Sequence, residues 1–147
     1  MTTAATVATT RQAPTITYAG AAALVQAALK ASEAEGVTMA VAVTDAAGQL
    51  KAFASMDDTP FLANEVAIDK AWTAAAFRLP TDTWAKIIAD PDVAQLAHRP
   101  RLVAVGGGYP IVSDGHVIGG LGLSGGTAEQ DARAAKTALH NLGLSID

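Results

Sequence analysis

The sequence predicts an α+β domain, a mostly antiparallel sheet with helices packed on it. Three observations carry this. Ala46-Ala47-Gly48 and Asp114-Gly115 are tight-turn signals, and each lies between apolar runs of strand type. Helical segments separate the two hairpins, which argues against a sheet built through β-α-β crossovers. No internal repeat and no linker follows residue 14, and 147 residues suit one domain.

Each element has its own reason. Thr17 is placed to cap a helix over 18–35, with Leu24, Ala28 and Ala31 on its apolar face and Gly36 as its stop. Residues 39–45 read as a buried strand and 49–55 as its return. Asp57-Asp58-Thr59-Pro60 breaks the pattern before a helix over 61–77. Pro80 and Thr81 open a short helix, and Pro91 opens another turn. Residues 102–105, 111–113 and 116–124 read as three more strands. Thr127 with Gln130 forms a capping box for the last helix, which Gly143 ends. The predicted order is α-β-β-α-α-α-β-β-β-α, with five strands. Residues 1–14 read as a disordered or arm-like tail and 15–147 as the single domain.

Composition narrows the function. With no cysteine there is no disulfide framework, thiolate metal site or thiol nucleophile, which fits a cytoplasmic location. A net charge of −4 without a basic cluster argues against nucleic acid as a partner. No apolar stretch approaches the roughly 20 residues that cross a bilayer, so no membrane partner is expected. Hydrophobic residues are 50 % of the chain and aromatics only 5 %, so the core must rest on Ala, Val, Leu and Ile. Helices with so much alanine approach closely and imply more buried surface than a lone monomer needs.

Gly122-Leu123-Ser124-Gly125-Gly126 matches a nucleophile elbow between strand and helix, with Asp131 and His140 following in hydrolase order. Geometry defeats that reading. Nine residues on one helix put Asp131 and His140 roughly 13 Å apart along the axis, so the base would lack an orienting partner. The segment instead offers the backbone N–H groups of Gly125, Gly126 and Thr127 at a helix start, a place that suits a carboxylate, phosphate or enolate oxygen. Asp131 there either serves the helix dipole or moves a proton. In Gly106-Gly107-Gly108-Tyr109-Pro110, three glycines exceed the needs of a turn and allow close approach of a ligand or another backbone. Lys70 shares a helix face with Leu62, Val66, Thr73 and Phe77, which are otherwise apolar or neutral. It pairs with a carboxylate, reaches into a pocket as a proton shuttle, or snorkels to water. His98, His116 and His140 match no zinc spacing, so no metal site is expected from them.

Read together, these motifs resemble the GlcG/HbpS-like family. The pieces are Ala40 through Gly48, Met56-Asp57-Asp58, Ala67 through Ala74 around Lys70, Leu79-Pro80-Thr81, Gly107 through Ile111, and Gly119 through Asp131. The resemblance spans about 16–143. It implies a five-stranded antiparallel sheet flanked by helices, profilin-like or PAS-like, in dimers that assemble into rings up to octamers. It also implies functional variety, because family members include a glycolate-operon protein, a secreted haem-binding sensor component and a domain of PduO-type cobalamin proteins. Haem-binding members can carry a histidine in the first helix. Here no histidine precedes His98, and Ser55 stands where the family has arginine. Haem iron would then need His98, His116, His140, Met39, Met56 or a tyrosine.

The expectation is a homo-oligomeric small-ligand protein. Its site would comprise Gly107, Gly108, Tyr109, Ser124, Gly125, Gly126 and Thr127, with Lys70 and Asp131 moving a proton on a small carbonyl or carboxylate metabolite. That is isomerase or lyase chemistry with no cofactor. The alternative is a haem-binding or haem-sequestering module. A structural or regulatory oligomer is a third reading.

Overall fold

The computed structural model describes residues 4–144. Residues 4–17 have no regular secondary structure and are mostly exposed, and the rest of the expected tail, 1–3, lies outside the described residues. Helix α1 (Tyr18–Glu35) leads into strands β1 (Ala40–Asp45) and β2 (Leu50–Ser55). Helices α2 (Leu62–Phe77) and α3 (Thr81–Ile87) and a 3-10 turn (Ala94–His98) follow, then β3 (Gly108–Ser113), β4 (His116–Ser124) and α4 (Ala128–Asn141). All strand pairings are antiparallel, in the order β2-β1-β4-β3.

The general α+β class holds, but among the described residues the sheet has four strands rather than five, and the element order differs accordingly. The segment expected as a strand, 102–105, makes other bonds. Val103 N–H donates to Thr73 Oγ1 at 3.1 Å and Leu102 N–H to the Arg99 carbonyl. Arg101 at φ 72° and Gly107 at φ 124° break the extended backbone on either side. Apolar character alone could not reveal that this segment is tied to α2 instead of to a neighbouring strand.

The two faces of the sheet differ in side-chain size. Register sets Ala40, Ala42 and Thr44 beside Ser124, Gly122 and Gly120, with Gly108 and Pro110 on the same face. Helix α2 lies on this small-residue face through Ala67, Ala71 and Ala74, all fully buried. A Cβ on Gly120 or Gly122 would strike the carbonyl of Ala71 or Ala67, so the helix backbone rests directly on glycine. The opposite face carries Met39, Val41, Val43, Leu121, Leu123, Tyr109 and Ile111 against α1 and α4. Both helix caps act as expected. Thr17 Oγ1 accepts from Gly20 N–H, and Thr127 and Gln130 complete a capping box.

The α2 face foreseen from spacing, through Leu62, Val66, Lys70, Thr73 and Phe77, packs only at its centre, where Lys70 and Thr73 are buried. Leu62 and Phe77 are exposed and the alanines are buried. The longer side chains cannot fit where helix and sheet backbones nearly touch. Among the described residues no helix is long and apolar enough to cross a membrane.

Candidate functional site

Lys70 leaves α2 between two buried alanines and is itself only 1 % exposed. Its ammonium donates to the Leu123 carbonyl at 2.9 Å and to Asp131 Oδ2 at 3.0 Å. Asp131 is also buried, and its Oδ1 accepts from Gly126 N–H at 2.9 Å. One ion pair thereby joins α2, the end of β4 and the start of α4. Burial lowers the Lys70 pKa from its ordinary value, and Asp131's charge and hydrogen bond push against that shift.

The glycine loop closes over this pair. A Cβ at Gly107 would come within 2.8 Å of both Lys70 Nζ and Asp131 Cβ. The space vacated by the glycines is filled by the protein's own backbone and side chains. Gly108 N–H donates to Thr81 Oγ1 at 2.9 Å, which ties the loop to α3. Sequence spacing gave Thr81 only a capping role, yet here it anchors the loop.

Two of the N–H groups expected to face a ligand are bonded within the chain. Gly126 N–H is held by Asp131, and Thr127 N–H by Gln130 Oε1 at 2.9 Å. Gly125, at φ 140°, packs against the Thr38 carbonyl. Ser124 ends β4, buried opposite Ala40. Tyr109 points to the other face of the sheet, beneath α4, with Lys136 Nζ 5.7 Å from its ring centroid. Its hydroxyl is buried without a partner, and its pKa is pushed up to about 12 by burial first and by the charge of Asp82 second. Lys70, Asp131, Gly107 and Gly126 therefore meet at one point, and Tyr109 stands apart from them.

A different feature has the walls of a binding groove. Trp72, Phe77, Trp84, Leu96, Arg99 and Leu102 line about 280 Å³ between α2, α3 and the 3-10 turn. The Phe77 and Trp84 rings meet edge to face at 5.1 Å, and the buried Trp84 Nε1–H has no partner. His98 lies between Leu96 and Arg99 in the chain. The residues that form this groove are scattered over about 30 positions, so no local motif marks it.

The remaining iron-ligand candidates divide by burial. Met39 is fully buried, and Met56 Sδ already accepts from Met39 N–H at 3.3 Å. His98, His116, His140 and Tyr18 are exposed.

A small-residue sheet face under an alanine helix, locked by a buried Lys–Asp pair, defines a compact α+β domain. The family described as "Haem degrading protein HbpS-like" matches residues 16–140, and the chain belongs to it. It is 35 % identical over 133 residues to an uncharacterized 15.0 kDa protein of Citrobacter freundii from the dhaT-dhaS intergenic region, covering 88 % of this chain and 93 % of that one. It is 36 % identical over 120 residues to the corrinoid adenosyltransferase PduO of Salmonella typhimurium, covering 79 % of this chain but only 35 % of PduO. Among solved structures it is similar to that of a PduOC–haem complex. The TM-score is 0.81 at 30 % identity, over 90 % of this chain and 98 % of the other.

Proposed function

We propose that this chain is a haem-binding module, and not a cofactor-free isomerase or lyase. The observation that carries the reading is the likeness to the PduOC–haem complex over nine-tenths of the chain. The chemistry of Lys70 and Asp131 supports it from the other side. Each already satisfies the other, and neither reaches solvent, so a substrate would have to break a buried ion pair to use them.

The aromatic groove fits one edge of a porphyrin. Trp72, Phe77 and Trp84 offer ring faces and edges, and Arg99 offers a guanidinium to a propionate carboxylate. Trp84 Nε1–H is an unused donor in the same wall. His98 is the imidazole nearest in the chain to that lining and is our choice for the iron. Bound haem would supply a redox-active iron, and the chain would stack against the ring, hold a propionate and provide the axial nitrogen. The absence of a histidine from α1 keeps histidine ligation off that helix. A homo-oligomer, dimer to octamer, belongs to this reading, since a groove of 280 Å³ covers only part of a macrocycle. So does a cytoplasmic location, which the cysteine-free composition fits.

Titrating the purified chain with hemin tests this. A saturable shift of the Soret band is expected, with affinity reduced about tenfold or more in Arg99→Gln and the band position altered in His98→Ala. Absence of any saturable Soret change overturns the reading. A change produced by His116→Ala and not by His98→Ala moves the iron away from this groove.

A further inference from the structure

A second cavity, of about 320 Å³, opens where the residues preceding α1, the carboxyl end of α2 and the β3–β4 turn come together. Arg11, Arg78 and His116 line it from those three separate segments, with Pro14, Ala46 and Gly115 between them. No carboxylate is among its lining residues. The nearest in sequence are Asp45, whose Oδ1 accepts from Ala47 and Gln49 N–H groups, and Asp114 in the turn itself. Among the described residues the ion pairs are Lys70–Asp131, Arg101–Asp69 and Arg133–Glu35, so Arg11 and Arg78 have no carboxylate partner. Two arginines and a histidine thus meet at one cavity in a chain of net charge −4.

Backbone geometry gives an independent reason to attend to Arg78. It closes α2 in the left-handed conformation, φ 58° and ψ 37°, where glycine or asparagine is the usual residue. One other arginine, Arg101, also has positive φ, but its guanidinium is engaged, 3.0 Å from Asp69 and 4.6 Å from the Trp72 ring centroid. Arg78 holds the same disfavoured backbone with no such partner. The α2 dipole would account for one positive charge at its carboxyl end. It does not account for Arg11 and His116 arriving from elsewhere.

We propose that this cavity binds a small oxyanion, phosphate or carboxylate in class, held by Arg11 and Arg78 with His116 as a further donor. Planar guanidinium forks match both chemistries. The bound anion would offset the mutual repulsion of the two arginines and make the Arg78 backbone worth holding. The lining shares no residue with the aromatic groove, so this site stands or falls independently of haem binding.

Isothermal titration of the full chain with inorganic phosphate, and separately with succinate, tests it in chloride buffer at constant ionic strength. Saturable binding of one or both is expected. Arg78→Gln and Arg11→Gln should each weaken it about tenfold or more. Arg133→Gln, whose arginine pairs with Glu35 elsewhere, should leave it unchanged. Preference for phosphate would indicate a phosphorylated ligand, and preference for succinate a dicarboxylate. No saturable heat with either anion, or equal affinity in the wild type and both cavity variants, overturns the proposal. All three arginines are exposed, so the variants should fold, and unchanged melting temperatures would verify that.

Discussion

Lys70 and Asp131 are buried and in direct contact at 3.0 Å, which makes each costly to remove alone. Lys70→Met leaves a buried carboxylate without its cation and should cost about 3–5 kcal/mol in urea unfolding. Lys70→Met combined with Asp131→Asn removes both charges and should recover much of that loss. If the single variant unfolds at the wild-type midpoint, the pair is not what joins α2 to α4. Tyr109 gives a second expectation. Its hydroxyl is buried without a partner, so Tyr109→Phe should be neutral or stabilising at pH 7. Its folded pKa of about 12 lies above the ordinary 10.0, so the folded state binds the proton more tightly than the unfolded chain does. The stability from this linkage is complete below pH 10 and is lost as pH rises toward about 12. The fall in urea midpoint between pH 9 and 11.5 should be smaller in Tyr109→Phe than in the wild type. The sequence singled out Lys70 and Asp131 separately, because a lysine on an apolar face and an acid at a helix start are local patterns. Their meeting across 61 positions has no local signature.

At the scale of elements, contact between α2 and the sheet depends on side chains that are absent. Gly120→Ala and Gly122→Ala each place a methyl against an α2 carbonyl and must lift the helix off the sheet. A loss of roughly 1–3 kcal/mol is expected for each, read as a lower thermal midpoint with native-like far-UV dichroism. Thr127→Ala removes one arm of the α4 capping box and should cost about 1 kcal/mol. Caps, helix stops and the two hairpins were legible in the sequence because a few adjacent residues decide them. The segment 102–105 was not, since its fate is decided by the hydroxyl of Thr73, about 30 residues away. The packed face of α2 was not legible for a related reason. Hydrophobic periodicity rewards Leu62 and Phe77, but against a sheet surface of glycine and alanine α2 buries mainly alanines, with Thr73 and the ion-paired Lys70.

For the whole molecule, that same packing leaves large apolar groups with nothing to cover them. Phe61 is 87 % exposed at the start of α2, next to Leu62, and Phe77 is 62 % exposed at its other end. Sixteen residues of helix separate these ends by roughly 24 Å, so they form two patches and not one. The edge strand β2 adds Leu50 and Phe53, both exposed, and among the described residues its outer backbone has no neighbouring strand. Contiguous exposed apolar surface of this kind marks an interaction site more often than a free one. A second copy of this chain is the partner that follows from the proposed homo-oligomer, because identical patches become complementary under two-fold symmetry. Light scattering at micromolar concentration should therefore give a mass that is a multiple of 14.9 kDa. Phe61→Ser with Leu62→Ser should lower that mass without unfolding the chain, since neither side chain belongs to the buried core. A single 14.9 kDa species in the wild type would remove the oligomer from the proposal. An unchanged oligomer in the double variant would move the interface from the start of α2 to the Phe77 end or to the β2 edge.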